Sequence, residues 1–273
     1  MIEPAGESLH VHANGLRHRV LRYGSQGPDV VVLPGITSPA LTVEFLALAL
    51  ADRYRVLVPD LRGRGGTDVA SPGEYTLRHY SDDVRGLVAE LGLARPSVIG
   101  HSLGARIAAA YSVRSGGEHD RLVLVDPPLS GPGRAPYPTS RAGFEAQLLA
   151  AYRGTTAEEV RAHYPNWPVE QLRVRAQELA TCDRTAVFET HDGFHREDFF
   201  RHWRSVRPPA LLIRGAQSPV VTEDGARELA AANPDVPIVS VDGAGHMVPW
   251  DNWPGFRAVL LAHLLDPSTS ALP

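Results

Sequence analysis

A serine becomes a nucleophile only where a base can take its proton and donors can receive the charge that forms on the attacked carbonyl. Ser102 sits in Gly100-His101-Ser102-Leu103-Gly104, a G-x-S-x-G pattern. Apolar Val98 and Ile99 precede it, and Ala105, Ile107, Ala108, Ala109 and Ala110 follow. This reads as a buried strand turning sharply into a helix narrow enough to pack on a sheet, with the serine on strained backbone and its hydroxyl projecting. The helix N-terminus would aim free N–H groups at developing negative charge. Among the twelve histidines, His246 is the predicted base, because it lies in the tight loop Asp242-Gly243-Ala244-Gly245-His246 after an apolar strand. His101 adjoins the serine, but its side chain should point away from the hydroxyl, so it is predicted to pack or hydrogen-bond. A carboxylate must fix the imidazole tautomer. Asp126 ends the apolar run Leu122–Val125 that follows the serine's helix, so it should emerge at the same sheet edge as Ser102. Asp242 and Asp224 are the alternatives. One oxyanion donor is predicted at the N–H of Leu103, the other at Ile36.

These residues need a scaffold that brings strand ends together. Residues 9–23 alternate apolar and polar around Asn14-Gly15, a hairpin signal. Asp29–Leu33, 55–58 and Leu122–Val125 are short apolar runs of the kind buried in a central sheet. Helical patterns at 40–51 and 77–91 lie between them. Such steady alternation predicts an α/β fold, a mostly parallel sheet with helices on both faces. The pattern breaks from 129 to 207, where a Pro/Gly-rich lead gives way to helical segments rich in Arg, Glu and aromatic residues. This stretch is predicted to be a helical cap inserted into a core formed by 1–128 and 208–273. Strands at 210–213 and 237–241, with helices at Glu223–Ala232 and 254–265, complete the core.

Composition narrows the function. The 273 residues are 43% hydrophobic with a net charge of −4, which gives no basic footprint for nucleic acid or anionic membrane. The acidic N-terminus has no signal-peptide pattern and no apolar run reaches membrane length, so a cytoplasmic location is expected. A single cysteine, Cys182, rules out an internal disulfide and is expected to be a packed thiol. The turn Arg62-Gly63-Arg64-Gly65-Gly66 lacks the spacing and lysine of a phosphate loop. His191 and His195 stand four apart but lack an H-E-x-x-H pattern, so neither a metal nor another cofactor is expected. Trp167, Trp203, Phe194, Phe199 and Trp250 are expected to pack cap against core.

The order Ser…Asp…His, the G-H-S-L-G elbow, the D-L-R-G-R-G turn and the G-A-G-H loop resemble the α/β-hydrolase superfamily over essentially the whole length. Within it, residues 34–40, 100–106, 125–134 and 245–251 resemble the N-formylmaleamate deformylase family, amidohydrolases of nicotinate breakdown. The loop after strand 211–213, where such folds usually carry the acid, reads Arg214-Gly215-Ala216-Gln217-Ser218-Pro219 and offers no carboxylate. In the resembled family the acid follows the same strand as Asp126 does here. The resemblance implies hydrolysis of a small N-formyl amide through an acyl-enzyme. An esterase or lactonase would share this chemistry, and a non-catalytic binding protein could share the fold. The implied substrate carries a carboxylate and needs a clamp, for which Thr37, Ser38, Arg134, Tyr137, His195 and Trp250 are candidates. Arg106 is expected to tie its helix to the sheet or cap. An aspartate nucleophile, as in haloalkane dehalogenases and epoxide hydrolases, is absent from position 102.

Overall fold

The structure is a computed structural model that describes residues 2–265. It opens with a hairpin, β1 (Glu7–Ala13) and β2 (Leu16–Tyr23), turned by Asn14 and Gly15, both at positive φ. Next come β3 (Asp29–Leu33), α1 (Glu44–Leu50), β4 (Arg55–Pro59) and α2 (Leu77–Glu90). The expected helix at 40–51 divides, because Ala40–Val43 winds as a tighter 3-10 turn before α1 begins. Then follow β5 (Ser97–His101), α3 (Leu103–Arg114) and β6 (Leu122–Val125). Five helices come next: α4 (Arg141–Tyr152), α5 (Ala157–Arg161), α6 (Val169–Glu178), α7 (Arg184–Arg196) and α8 (Phe199–Trp203). The chain then forms β7 (Ala210–Gly215), α9 (Glu223–Ala232), β8 (Ile238–Val241), α10 (Val248–Asp251) and α11 (Trp253–Leu265).

The eight strands form one sheet in the order β1-β2-β4-β3-β5-β6-β7-β8. The pairs β1/β2 and β2/β4 are antiparallel and all others are parallel. The all-apolar strands serve both faces of the sheet. Val31 and Leu33 enter one hydrophobic cluster, and Val30 and Val32 enter the other. Register then aligns the carboxyl ends, because His101 pairs with Val125, Val125 with Ile213, and Gly215 with Val241. Every residue that leaves these strands therefore emerges at one edge, where open parallel sheets bind ligands.

Helices α4 to α8 leave the sheet after β6 and return at β7. Buried Arg106 on α3 ties this excursion to the core, donating to the carbonyls of Pro128, Ser130 and Glu197 at 3.2, 3.1 and 2.5 Å. No helix among the described residues is long and apolar enough to cross a membrane.

Candidate active site

The elbow at Ser102 is built by close approach. A Cβ on Gly100 would lie 2.1 Å from the Gly104 carbonyl oxygen, and one on Gly104 would lie 2.0 Å from that of Leu33. Both glycines are therefore required for α3 to begin against β3 and β5. Ser102 takes up the remaining strain at φ 55° and ψ −116°, a conformation costly for a residue with a side chain. Its N–H is anchored to the Val125 carbonyl at 2.8 Å.

From Ser102 a hydrogen-bonded chain runs inward. Ser102 Oγ lies 3.0 Å from His246 Nε2, and His246 Nδ1 lies 2.7 Å from Asp126 Oδ2. Asp126 is fully buried and also at positive φ, 48°. Its carboxylate accepts from Ser218 Oγ at 2.5 Å and from the Gly215 N–H at 3.2 Å. Burial is the largest influence on Asp126 and raises its pKa, while His246, Ser218 and Gly215 oppose that shift. The other two carboxylates considered from sequence lie elsewhere. Asp242 is exposed beyond β8, and Asp224 is exposed and pairs with Arg227.

The loop that carries Ile36 lies against Ser102. A Cβ at Gly35 would sit 3.6 Å from that of Ser102, so the loop and the elbow touch. Among the described residues, neither the Ile36 N–H nor the Leu103 N–H donates to a protein acceptor. Two free donors beside one hydroxyl can receive a developing oxyanion.

A cavity of about 360 Å³ opens on Ser102. Thr37, Ser38, Tyr137 and His246 are in its wall, and the Tyr137 hydroxyl lies 3.3 Å from His246 Nε2. Burial raises the Tyr137 pKa further above the ordinary phenol range, so it stays a neutral donor. His101 donates from Nε2 to the His246 carbonyl at 2.9 Å, and burial pushes its pKa down to about 3. It braces the His246 loop as a neutral imidazole.

Three residues expected at the substrate lie outside this wall. Arg134 is drawn into a neighbouring depression by Glu228, stacks on Phe200 and donates to the Leu129 carbonyl. His195, in the last turn of α7, packs edge-on against His191. Trp250 lies one layer behind, between His101 and Trp167, with ring centroids at 5.3 and 5.4 Å.

In their place the wall holds Arg175 from α6, which donates to the Thr37 carbonyl and, at 3.0 Å, to Thr37 Oγ1. Nothing local in the sequence separates it from exposed Arg173 two residues earlier. Asp251 was also missed. It accepts from the Gly245 N–H at 2.9 Å and from Trp167 Nε1 at 3.2 Å, joining the His246 loop to the inserted helices. Cys182 is buried, and its thiol pKa is pushed up to about 12 by burial.

Fold, elbow and hydrogen-bonded chain together define a class, and residues 30–259 match the alpha/beta hydrolase family. The chain belongs to that family. It is 38% identical over 249 residues to the N-formylmaleamate deformylase of Pseudomonas putida, covering 91% of this chain and 93% of that protein. The 2-(acetamidomethylene)succinate hydrolase of Mesorhizobium japonicum is 29% identical, with 84% of each chain covered. The crystal structure of an N-formylmaleamic acid deformylase from Pseudomonas putida S16 superposes with a TM-score of 0.87 at 37% identity, covering 93% of this chain and all of that one.

Proposed function

We propose that this chain is a cytoplasmic amidohydrolase that cleaves N-formylmaleamate, or a closely similar N-formyl amide, to maleamate and formate. The reading rests on the continuous Ser102–His246–Asp126 chain beside two free backbone donors, in a protein similar to a deformylase over nearly its whole length. Ser102 Oγ attacks the formyl carbon as His246 Nε2 takes its proton. The oxyanion is received by the N–H groups of Ile36 and Leu103. As the C–N bond breaks, His246 returns the proton to the leaving nitrogen. That nitrogen is also attached to a second carbonyl, which stabilises it as it departs. Water, activated by His246, then attacks the formyl ester; formate leaves and Ser102 recovers its proton. Asp126 holds the imidazole tautomer and stabilises the imidazolium.

The names of both curated relatives denote N-acyl compounds that carry carboxylates. Arg175 supports such a substrate here, because it is a buried cation in the cavity wall. Residues 129–207 act as a cap that closes the cavity over a core of 1–128 and 208–273. The test is formate release from N-formylmaleamate by purified protein, with Ser102→Ala as the blank. Release that is absent in the wild type, alongside hydrolysis of p-nitrophenyl esters, would retain the serine chemistry and reject this substrate.

A further inference from the structure

The loop that offers the Ile36 N–H is held at three successive carbonyls. The Gly35 carbonyl accepts from the Ser38 N–H at 3.2 Å. That of Ile36 accepts from Arg64 Nε at 3.1 Å. That of Thr37 accepts from Arg175 Nη1, while Nη2 of the same guanidinium holds Thr37 Oγ1. A peptide unit is planar, so anchoring its oxygen also aims its N–H. The Ile36 N–H belongs to the Gly35–Ile36 peptide, whose oxygen is held by the Ser38 N–H; Arg175 fixes the Thr37–Ser38 peptide that carries that N–H, and Arg64 fixes the Ile36–Thr37 peptide between them.

The two arginines share further properties. Both are buried, at 1% and 7% exposure, yet all their hydrogen bonds among the described residues end on uncharged oxygens. Their charge is therefore not cancelled by a directly bonded carboxylate. Both also depend on the inserted helices. Arg175 belongs to α6, and Arg64 Nη2 donates to the Ala186 carbonyl at 3.2 Å and to Thr190 Oγ1 at 3.1 Å, both on α7.

We propose that Arg64 and Arg175 are positioning residues for the oxyanion hole: while α6 and α7 are docked they fix the two peptides that follow Ile36 and, through the Ser38 N–H, the Gly35–Ile36 peptide that carries the donor. The inserted helices then do more than cover the cavity, because their seating completes the electrostatic part of the site. Lysine cannot substitute at position 64. The forked guanidinium holds Ile36, Arg62, Tyr80 and α7 at once, whereas an ammonium offers a single nitrogen.

This inference rests on the serine-hydrolase reading of the site, not on the identity of the substrate. Its test therefore uses a neutral ester, p-nitrophenyl acetate, and counts active sites by fluorophosphonate labelling taken to completion. Arg64→Lys, Arg175→Lys and Thr190→Val are compared with wild type for kcat, KM and the affinity of an alkylboronic acid, whose serine adduct places an oxygen in the oxyanion hole. Per labelled site, kcat should fall about 10- to 100-fold in the two lysine variants, with KM changing less than about threefold, since a misaimed donor costs somewhat less than a deleted one. Boronate affinity should fall in parallel, and Thr190→Val should lose about threefold or more in kcat. Wild-type kcat per labelled site and unchanged boronate affinity would overturn the proposal, even with lowered melting temperatures. If Arg64→Lys does not fold, Arg175→Lys and Thr190→Val decide by the same criteria. A wild type that neither labels nor turns over the ester would overturn the serine-hydrolase reading, and this inference with it.

Discussion

Replacing Asp126 by asparagine removes one charge from a fully buried position and keeps the side chain's shape. The carboxylate lies 2.7 Å from His246 Nδ1, so the imidazolium formed during attack has its counter-charge in direct contact. At an effective dielectric of about 20, unit charges about 3 Å apart attract by roughly 5–6 kcal/mol. That attraction arises only as the proton moves, so it lowers the barrier; at 1.36 kcal/mol per decade it corresponds to about 10⁴ in rate. Asparagine would also donate to Nδ1, leaving the proton on Nε2, where it blocks acceptance from Ser102. We therefore expect kcat/KM to fall about 10⁴-fold for amide and ester substrates alike. Unfolding would not explain the loss. Burial raises the Asp126 pKa, so the folded state holds that proton more tightly than the unfolded chain does. Its stabilising contribution is present at low pH and declines as pH rises through the folded pKa. Ionised Asp126 thus costs stability at neutral pH, and the asparagine variant should melt no lower than wild type. Initial rates from pH 6 to 9, with thermal melts of both proteins, make the check. A folded variant within tenfold of wild type would refute the assignment of the acid.

Ser218→Ala removes the hydroxyl that donates to Asp126 Oδ2 at 2.5 Å, and should lower kcat about tenfold with little change in KM. An unchanged kcat would show that Gly215 and His246 hold the carboxylate by themselves. His101 has a folded pKa of about 3, well below the unfolded value near 6.5, so its stabilising contribution is complete above pH 6.5 and is lost as pH falls toward 3. From pH 8 to pH 5 that loss is about 2 kcal/mol. Urea unfolding of His101→Gln should show a pH dependence shallower by this amount, and identical slopes would refute it. Arg134→Ala should leave kcat/KM for a carboxylate-bearing substrate within about twofold, because Glu228 already holds that guanidinium. A selective loss on anionic substrates, measured against a neutral ester, would return Arg134 to the site.

What could be read from the sequence was what short range decides. The glycines around Ser102 are forced by contacts made within a few residues or across adjacent strands, so their spacing carries the elbow. The apolar strands announce themselves because they are buried on both faces. Arg175 could not be read in this way. It shares α6 with exposed Arg173 and Glu170, and its inward face is set by docking on Thr37, which is 138 positions away in the chain. Arg134, a clamp candidate in a Pro/Gly-rich lead, shows the same limit: its partner, Glu228, comes 94 residues later. Trp250 and His195 have the residue types of a binding wall, yet aromatic and imidazole rings serve equally well in the layer behind one.

On the proposed mechanism, the position of the acid follows from the sheet itself. What the site requires is one negative charge at His246 Nδ1 and enough donors to keep that charge ionised in a buried place. Strands β6 and β7 are neighbours in register, with Val125 opposite Ile213, so either carboxyl end can reach the imidazole. Here β6 supplies the charge through Asp126. The segment leaving β7 supplies donors instead, the Gly215 N–H and the Ser218 hydroxyl. Ser218 is in turn held by the N–H groups of Val220 and Val221, at 3.0 and 3.3 Å. The absence of a carboxylate from the 214–219 loop is thus no defect in the constellation. A second buried carboxylate there would lie against Asp126, and two like charges in one desolvated place cannot both stay ionised. With the charge placed on β6, the β7 loop must be neutral and donor-rich, and Gly215 to Ser218 meet that requirement.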